Sequence, residues 1–146
     1  MILKEITLLT LDEYLECNPN ISPIGAYWWL KTPHSHVNGA VFAIDDHNSV
    51  DWISTFNTNV GVRPVGVFNI SFSNPLFWYK PGKIIGSKII YGNFSWTIFE
   101  TYKKEIKAIC DNIIDYRCFD TNGGKIWANS DIKTWLEKEG LMLIKE

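Results

Sequence analysis

Hydrophobic and polar residues alternate over short stretches of this chain, and clusters of Asn, Asp, Gly, Pro and Ser separate these stretches. The pattern is typical of short strands joined by turns. In the first half it predicts five strands, at residues 2–9, 25–30, 41–44, 50–53 and 61–70. The third and fourth flank a polar run, 45–49, and therefore form a hairpin. Pro64 indicates an edge or an irregularity in the fifth, because proline cannot donate a ladder hydrogen bond.

The second half contains another hairpin and one ambiguous segment. Strands are expected at residues 84–91 and 94–99, on either side of a Gly92-Asn93 turn. Residues 103–114 fit a strand or a helix equally, since their apolar positions match both periods. Residues 71–81 are an expected loop that is rich in Asn, Pro and Ser and also carries four aromatic residues.

The first of two short helices is expected at residues 11–17. Thr10 is suited to be its N-cap, and Glu13 follows three residues later. This spacing predicts a capping box, in which each side chain accepts a hydrogen bond from the other residue's backbone N–H.

The second helix lies near the end of the chain, with Asn129 or Ser130 as its N-cap and Gly140 just beyond its last turn. Its apolar stripe comprises Ile132, Trp135 and Leu136. Many strands and few helices, without strand–helix alternation, predict an α+β fold. The 146 residues fit a single domain, 1–146.

Composition adds one unusual feature to this ordinary globular pattern, namely the aromatic content. The chain has seven Trp, eight Phe and six Tyr residues. Large flat side chains fill cores, and they are also enriched at protein interfaces. We therefore expect part of this set to form a contact surface.

Charge and cysteine usage exclude several classes of protein. The formal net charge is -2 and no basic run is present, which disfavours direct binding to nucleic acid. Three cysteines without paired spacing indicate neither a disulfide framework nor a cysteine zinc site. The start of the chain lacks a signal sequence and no apolar run is long enough to cross a membrane. The expected location is the cytoplasm, without a membrane partner.

Two segments resemble the signature of a family of domains of unknown role. Residues 27–33 read Y-W-W-L-K-T-P, and residues 61–64 read G-V-R-P. They are similar to the W-W-L-R-S/T-P and G-V-R-P motifs that flank a variable insert in phage and prophage members of the family. Lys31 stands where the family has Arg, as does Lys133 in the second half. Weaker similarity to the rest of the family covers residues 92–98, 119–120 and 129–136.

The resemblance implies a C-type-lectin-like fold, with small twisted antiparallel sheets, two short helices and long irregular loops. Formylglycine-generating enzymes share this superfold, but their paired cysteines do not map onto Cys110 and Cys118. Longer relatives carry the two halves in the opposite order, which makes this chain resemble a permuted or minimal version. A fold of this kind implies no function by itself.

The binding surface is expected on the insert between the two motifs, residues 34–59, where polar turns surround an aromatic residue. Its candidate binding residues are His34, His36, Asp46, His47, Trp52 and Asn57. The histidines, with Asp45 or Asp46, are also ligand types for a transition metal. A calcium site is a second alternative, with oxygen ligands from Asn57, Asn59, Asp120, Asn122, Asn129 and Asp131. Neither set has the spacing of a known metal site, so we expect no metal and no cofactor.

A second group of residues is expected to hold the fold together: Trp28, Trp29, Arg63, Trp96 and Trp135. Trp28 and Trp29 must point to opposite faces of their strand. Arg63 lies in an apolar stretch and must be paired, either with carbonyl groups or with a carboxylate such as Asp120 or Asp131.

No nucleophile motif or nucleotide-binding loop occurs in the sequence, so we expect a protein that is not an enzyme. The main hypothesis is a protein-binding accessory protein of phage or prophage origin that acts on a host protein, for example as an inhibitor of a host defence factor. The alternative is a lectin-like module that binds a glycan or another small ligand.

Overall fold

The computed structural model describes residues 1–70 and 83–145. The strands in this part of the chain are β1 (Ile2–Thr7), β2 (Trp28–Pro33), β3 (Ala40–Ile44), β4 (Val50–Ser54), β5 (Gly61–Val62), β6 (Val65–Asn69), β7 (Lys88–Tyr91), β8 (Phe94–Tyr102), β9 (Glu105–Cys110) and β10 (Asp115–Tyr116). The helices are α1 (Leu11–Cys17), α2 (Asp131–Trp135) and α3 (Leu141–Lys145). The predicted α+β class is confirmed.

The strands form two five-stranded sheets, with the order β1-β6-β9-β8-β7 in one and β10-β5-β2-β3-β4 in the other. Neighbouring strands are antiparallel, except that β2 and β5 are parallel at Trp28 and Gly61. The first of these two sheets is called the β6 sheet and the second is called the β2 sheet. The hairpin of β3 and β4 was predicted correctly, and it places β4 at an edge of the β2 sheet.

The predicted strand 61–70 is wrong as a single element, because the chain changes sheets at Arg63 and Pro64. β5 belongs to the β2 sheet and β6 to the β6 sheet, and neither is an edge strand. Pro64 marks the predicted irregularity, and its carbonyl oxygen accepts a hydrogen bond from Cys110 N at 2.8 Å. One short segment therefore joins both sheets.

Other boundaries differ from the predictions where hydrogen bonds between strands decide them. β2 extends to Pro33, which pairs with Val41, so proline ends this strand without interrupting it. The ambiguous segment 103–114 contains a strand, β9, whose buried Ile106 and Ala108 alternate with half-buried residues. The predicted loop 71–81 lies outside the described residues.

Both helix N-caps agree with the sequence. Thr10 Oγ1 accepts from Glu13 N at 3.0 Å and Glu13 Oε1 accepts from Thr10 N at 3.0 Å, which confirms the capping box. Ser130, not Asn129, caps α2, since its hydroxyl oxygen accepts from Lys133 N at 3.2 Å. Among the described helices, none is long and apolar enough to span a membrane.

The prediction that the last helix ends before Gly140 is wrong. A π-helical stretch, Leu136–Gly140, connects α2 to α3. A Cβ atom at Gly140 would lie 2.9 Å from Leu136 Cδ1 and 3.1 Å from Trp135. The glycine therefore allows close packing inside a continuous helix.

The two faces of β2 belong to two hydrophobic clusters. Trp29 is fully buried in the larger cluster, which Ile132 and Leu136 of the last helix also join. Trp28 and Leu30 are buried in the smaller cluster, which α1 covers through Tyr14. The predicted burial of Trp28 and Trp29 on opposite faces is confirmed, and a helix lies over each face.

The other residues expected to hold the fold include Arg63, which is fully buried. Arg63 Nε donates to Cys110 O at 2.7 Å and Nη1 donates to Ser22 O at 2.8 Å, while the guanidinium stacks 4.9 Å from the Trp28 ring. The prediction of Asp120 or Asp131 as its partner is wrong, because carbonyl oxygens at the junction of the sheets take that place.

Two further tryptophans differ in their degree of burial. Trp96 is fully buried, and its indole N–H donates to Tyr91 O at 3.2 Å. Trp135 is half-buried, and the Arg117 guanidinium lies 4.3 Å from its ring centroid. Trp96 thus belongs to the core, whereas Trp135 lies at the partly exposed side of the last helix.

Candidate functional site

An aromatic cluster lies on one face of the β3–β4 hairpin. Phe42 pairs with Trp52 across the two strands. The ring of His34 stacks on Phe42 with 5.1 Å between centroids, and it meets Trp52 edge-on at 5.4 Å. The Trp52 side chain is still 48% exposed. We call His34, Phe42 and Trp52 the hairpin cluster.

His34 organises the backbone beside this cluster. Its Nδ1 accepts hydrogen bonds from the backbone N–H groups of His36 and Val37, both at 3.1 Å. Because Nδ1 is an acceptor, the ring hydrogen of the neutral imidazole lies on Nε2. Lys125 Nζ donates to His34 O at 2.7 Å, so a distant part of the chain also holds the backbone at His34.

The turn of the hairpin is held by Asp45. Asp45 Oδ1 accepts from His47 N at 2.8 Å and from Ser49 N at 2.9 Å. Asn48 takes the left-handed conformation with φ of 64°, which asparagine tolerates, and Tyr14 Oη donates to Asn48 O at 3.0 Å. A firmly held turn therefore presents its outer residues to solvent.

Asp46 and His47 are those outer residues. Both are exposed, and His47 Nδ1 lies 3.0 Å from Asp46 Oδ1. They lie at the tip, whereas Trp52 is two residues, about 7 Å, beyond the first residue of β4. The predicted binding residues are therefore on one hairpin but not in one cluster.

A cavity of about 380 Å³ lies beside Trp52. Its lining residues are Tyr27, Asp51, Trp52, Ile53, Asn57, Asn59 and Val60. Asp51 Oδ1 accepts from Trp52 N at 2.7 Å and Asn57 Oδ1 accepts from Asn59 N at 2.8 Å. These bonds orient a carboxylate and an amide at the rim. We call this space the Trp52 cavity.

Burial raises the pKa of the Tyr27 phenol, and three nearby carboxylates raise it further, those of Asp51, Asp46 and Asp45. Negative charge therefore surrounds this side of the hairpin. Tyr27 and Trp52 are among the residues that line the cavity, and its rim includes the Asp51 carboxylate.

The sequence prediction located part of this site and missed the rest. Trp52 belongs to both the hairpin cluster and the cavity, and Asn57 lines the cavity. The missed residues are Tyr27, Phe42, Asp51 and Asn59. Alternation along β4 puts Asp51 and Ile53 on the face opposite Trp52, but their proximity to Tyr27 depends on the pairing of β2, β3 and β4.

The metal alternatives receive limited support from the geometry. In the described part of the chain, one group of three candidate ligands has its ligand atoms within 4.8 Å: Asp45, Asp46 and His47. His34 and His36 are not part of it. This group is largely exposed, and Asp45 is already engaged in the turn.

The residues of the calcium alternative are divided between two places. Asn57 and Asn59 line the Trp52 cavity, whereas Asp120 and Asp131 hold the turn before α2. Gly124 N donates to Asp120 Oδ2 at 2.9 Å and Thr121 N donates to Asp131 Oδ2 at 2.8 Å. The hydroxyl and backbone N–H of Thr121 lower the pKa of the Asp131 carboxyl. These contacts give the two aspartates a structural role.

We expect excess EDTA to leave the midpoint of thermal unfolding unchanged, because no metal is needed for the contacts that hold the hairpin. A metal bound to the native state would add to stability, and chelation would remove that contribution. Differential scanning fluorimetry with and without EDTA measures this, with added Zn²⁺ and Ca²⁺ as controls. A fall of several degrees would contradict the prediction and direct mutagenesis to His47.

Cys110 has none of the features of an activated nucleophile. It is fully buried, and burial raises the pKa of its thiol to about 11. A reactive cysteine requires a lowered pKa and access to solvent. The Cys110 side chain therefore contributes to packing of the hydrophobic core.

No family model, curated protein or solved structure matches the chain. The β3–β4 hairpin and the cavity beside it are therefore the features of the molecule that bear on its function. Both are formed by described residues and both include Trp52.

Proposed function

We propose that this protein is a non-catalytic binding protein that docks on another protein through the hairpin cluster and the Trp52 cavity. The observation that carries the proposal is Trp52, a large aromatic side chain that is half exposed on an edge strand. Partly exposed Trp residues beside a cavity are typical anchors of protein interfaces.

The support under this surface favours binding with little rearrangement. Tyr14 holds the turn from one side and Lys125 holds the backbone at His34 from another. A surface that is ordered before association loses less conformational entropy on binding. The hairpin is therefore suited to present fixed contacts.

The proposed partner is a host protein, and the proposed setting is the cytoplasm of a host cell. The similarity of residues 27–33 and 61–64 to motifs of phage and prophage proteins supports this origin. A small binding protein from such a source is suited to block a host defence factor. The C-type-lectin-like fold is part of the same proposal, and the two small, mainly antiparallel sheets support it.

A glycan or small-ligand function is a second candidate, favoured by the Trp52 cavity. Two aromatic residues, Tyr27 and Trp52, line it together with residues that carry amide and carboxylate groups, Asn57, Asn59 and Asp51. These groups are of the kind that bind sugar hydroxyls.

The test is affinity capture from host lysate with the immobilised protein and with the variant Trp52→Ala. The matched control is Tyr102→Ala, which removes another exposed aromatic residue, 67% exposed, from the β6 sheet. We expect the wild type and the control to enrich the same protein and Trp52→Ala to lose it. With the purified partner, calorimetry should show a dissociation constant raised at least about tenfold by Trp52→Ala.

A double variant, Asp46→Ala with His47→Ala, extends the test to the tip of the hairpin. We expect it to weaken partner binding while the free energy of unfolding changes by less than about 0.5 kcal/mol, as is usual for surface residues. Intact binding in this variant and in Trp52→Ala, with loss on changes at residues 72–79, would place the interface elsewhere. Binding of a glycan array by the wild type alone would favour the second candidate.

A further inference from the structure

In the described part of the chain, β4 and β10 form the two edges of the β2 sheet. The direction of the backbone groups along β4 follows from its pairing with β3. Thr55 N donates to Gly39 O at 2.9 Å, and hydrogen-bonded pairs recur at every second residue of an antiparallel ladder. The backbone N–H and C=O groups of the alternate residues therefore point away from β3, and these residues are Val50, Trp52 and Ser54.

An edge of this kind is a template for a further strand, because its outward N–H and C=O groups lack strand partners. A second copy of this chain could pair with β4 in the antiparallel sense, with the two Trp52 residues opposite each other. They would exchange backbone hydrogen bonds, and Ser54 N would reach Val50 O of the other copy. Val50 and Trp52 are 38% and 48% exposed, so this edge also offers apolar side chains.

Asp51 occupies the central donor of this edge. Its Oδ1 accepts a hydrogen bond from Trp52 N at 2.7 Å, in the place that the carbonyl oxygen of an added strand would need. A donor that is already bonded gains little from a new acceptor. Ser54 O is engaged as well, since Asn57 N donates to it at 3.0 Å. The outward groups of β4 are thus partly satisfied within the chain.

The opposite edge of the β2 sheet has the same arrangement. Arg117 N donates to Val60 O at 3.1 Å, and Tyr116 pairs with Gly61, so Tyr116 N points away from β5. Asp115 Oδ1 accepts from this N–H at 2.9 Å. On both edges, an aspartate therefore precedes an exposed aromatic residue and bonds its outward N–H.

We infer that Asp51 closes the β4 edge against the addition of a further strand, in particular β4 of a second copy of this chain. The protein is therefore a monomer, and the exposed side chain of Trp52 is available for contacts that do not involve strand pairing. This inference goes beyond the proposed function and does not depend on it.

The test compares Asp51→Ala with Asp51→Asn by sedimentation velocity at micromolar to millimolar concentrations. Asparagine retains an oxygen that can accept from Trp52 N, whereas alanine removes the acceptor. We expect the wild type and Asp51→Asn to be monomers and Asp51→Ala to dimerise, with an association constant at least about tenfold above the limit for the wild type. Hydrogen exchange of the Trp52 amide should slow about tenfold or more in that dimer.

Two further variants locate the association. Ser54→Pro, added to Asp51→Ala, removes an outward N–H, and proline is tolerated on an edge strand where the N–H faces solvent. We expect this double variant to be a monomer. Asp115→Ala makes the matched change on β10, which has only two residues and is too short to be a template, so it should be a monomer as well.

Circular dichroism verifies that each variant is folded. Asp51→Val, which also lacks an acceptor and has a high strand propensity, replaces Asp51→Ala if alanine prevents folding. A monomeric Asp51→Ala at millimolar concentration would overturn the inference, as would a wild-type dimer with a protected Trp52 amide. Association that persists after Ser54→Pro would place the contact outside the edge and would also contradict it. None of these measurements involves the partner, so affinity capture tests the proposed function separately.

Discussion

Replacing either Trp28 or Trp29 by alanine is expected to lower the free energy of unfolding by about 3–5 kcal/mol. Both side chains are fully buried, at 1% and 0% exposure, in clusters on opposite faces of β2. Trp29→Ala also removes a hydrogen bond, because the Trp29 indole N–H donates to Arg117 O at 2.9 Å. Trp28→Ala removes the ring on which Arg63 stacks.

Urea unfolding followed by circular dichroism measures these losses. Trp52→Ala is the matched control, since it removes the same side chain from the same sheet at a position that is 48% exposed; its expected effect is within about 1 kcal/mol. Because a domain has only about 5–15 kcal/mol of stability, Trp28→Phe and Trp29→Phe provide variants with smaller cavities. A loss below about 1 kcal/mol in both alanine variants would contradict the assignment of these residues to the core.

The local features of the fold could be predicted because each depends on residues that are close in sequence. The capping box at Thr10 and Glu13 needs only their spacing, and the β3–β4 hairpin needs two apolar runs around a polar turn. Alternation alone assigned Trp28 and Trp29 to opposite faces. In these cases, one short segment contains the whole physical cause.

The change of sheet at Arg63 and Pro64 has no such local cause. β5 is selected by parallel pairing with β2, and β6 by antiparallel pairing with β1 and β9. An apolar run such as 61–70 does not show which of its residues pair with which partner. Gly140 illustrates the same limit, since a glycine that ends a helix and one that allows close packing look identical in sequence.

The sequence predicted only those residues of the candidate site whose type and immediate neighbours mark them as exposed contact residues. Trp52 is a large aromatic residue between polar turns, and this marked it as a candidate. Tyr27 and Asp51 reach the same cavity because Trp28 pairs with Ile44 in β3, and β3 pairs with β4. That register joins two segments about 25 residues apart, as their positions in the chain show, and periodicity within either segment does not contain it.

Arg63 was expected to need a partner, and its carbonyl partners determine how much stability the protein loses when Arg63 is replaced. Arg63→Met is expected to destabilise the protein by about 3–5 kcal/mol, because it removes two hydrogen bonds from a charged donor, each of which contributes about 1.5–3 kcal/mol. The variant also leaves the buried carbonyl oxygen of Cys110 without its donor, and an unsatisfied buried group costs about 1–3 kcal/mol. Burial lowers the pKa of Arg63 to about 10, so the guanidinium is still charged at neutral pH.

Arg63→Lys distinguishes loss of charge from loss of geometry. A single ammonium group cannot reproduce two donors that reach Cys110 O at 2.7 Å and Ser22 O at 2.8 Å from a planar fork. We therefore expect Arg63→Lys to recover less than half of the stability that Arg63→Met loses. The free energy of unfolding of Arg63→Lys should then be lower than that of the wild type by roughly 2 kcal/mol or more.

Arg117→Met is the control for removal of an arginine. Arg117 is half-buried, stacks on Trp135 and lies 3.6 Å from Asp115, and such partly exposed contacts contribute about 1 kcal/mol or less. Urea unfolding at pH 7 compares the three variants. If Arg63→Met were as stable as Arg117→Met, the carbonyl contacts would not hold the junction of the two sheets, and packing against Trp28 alone would explain why an arginine is buried there.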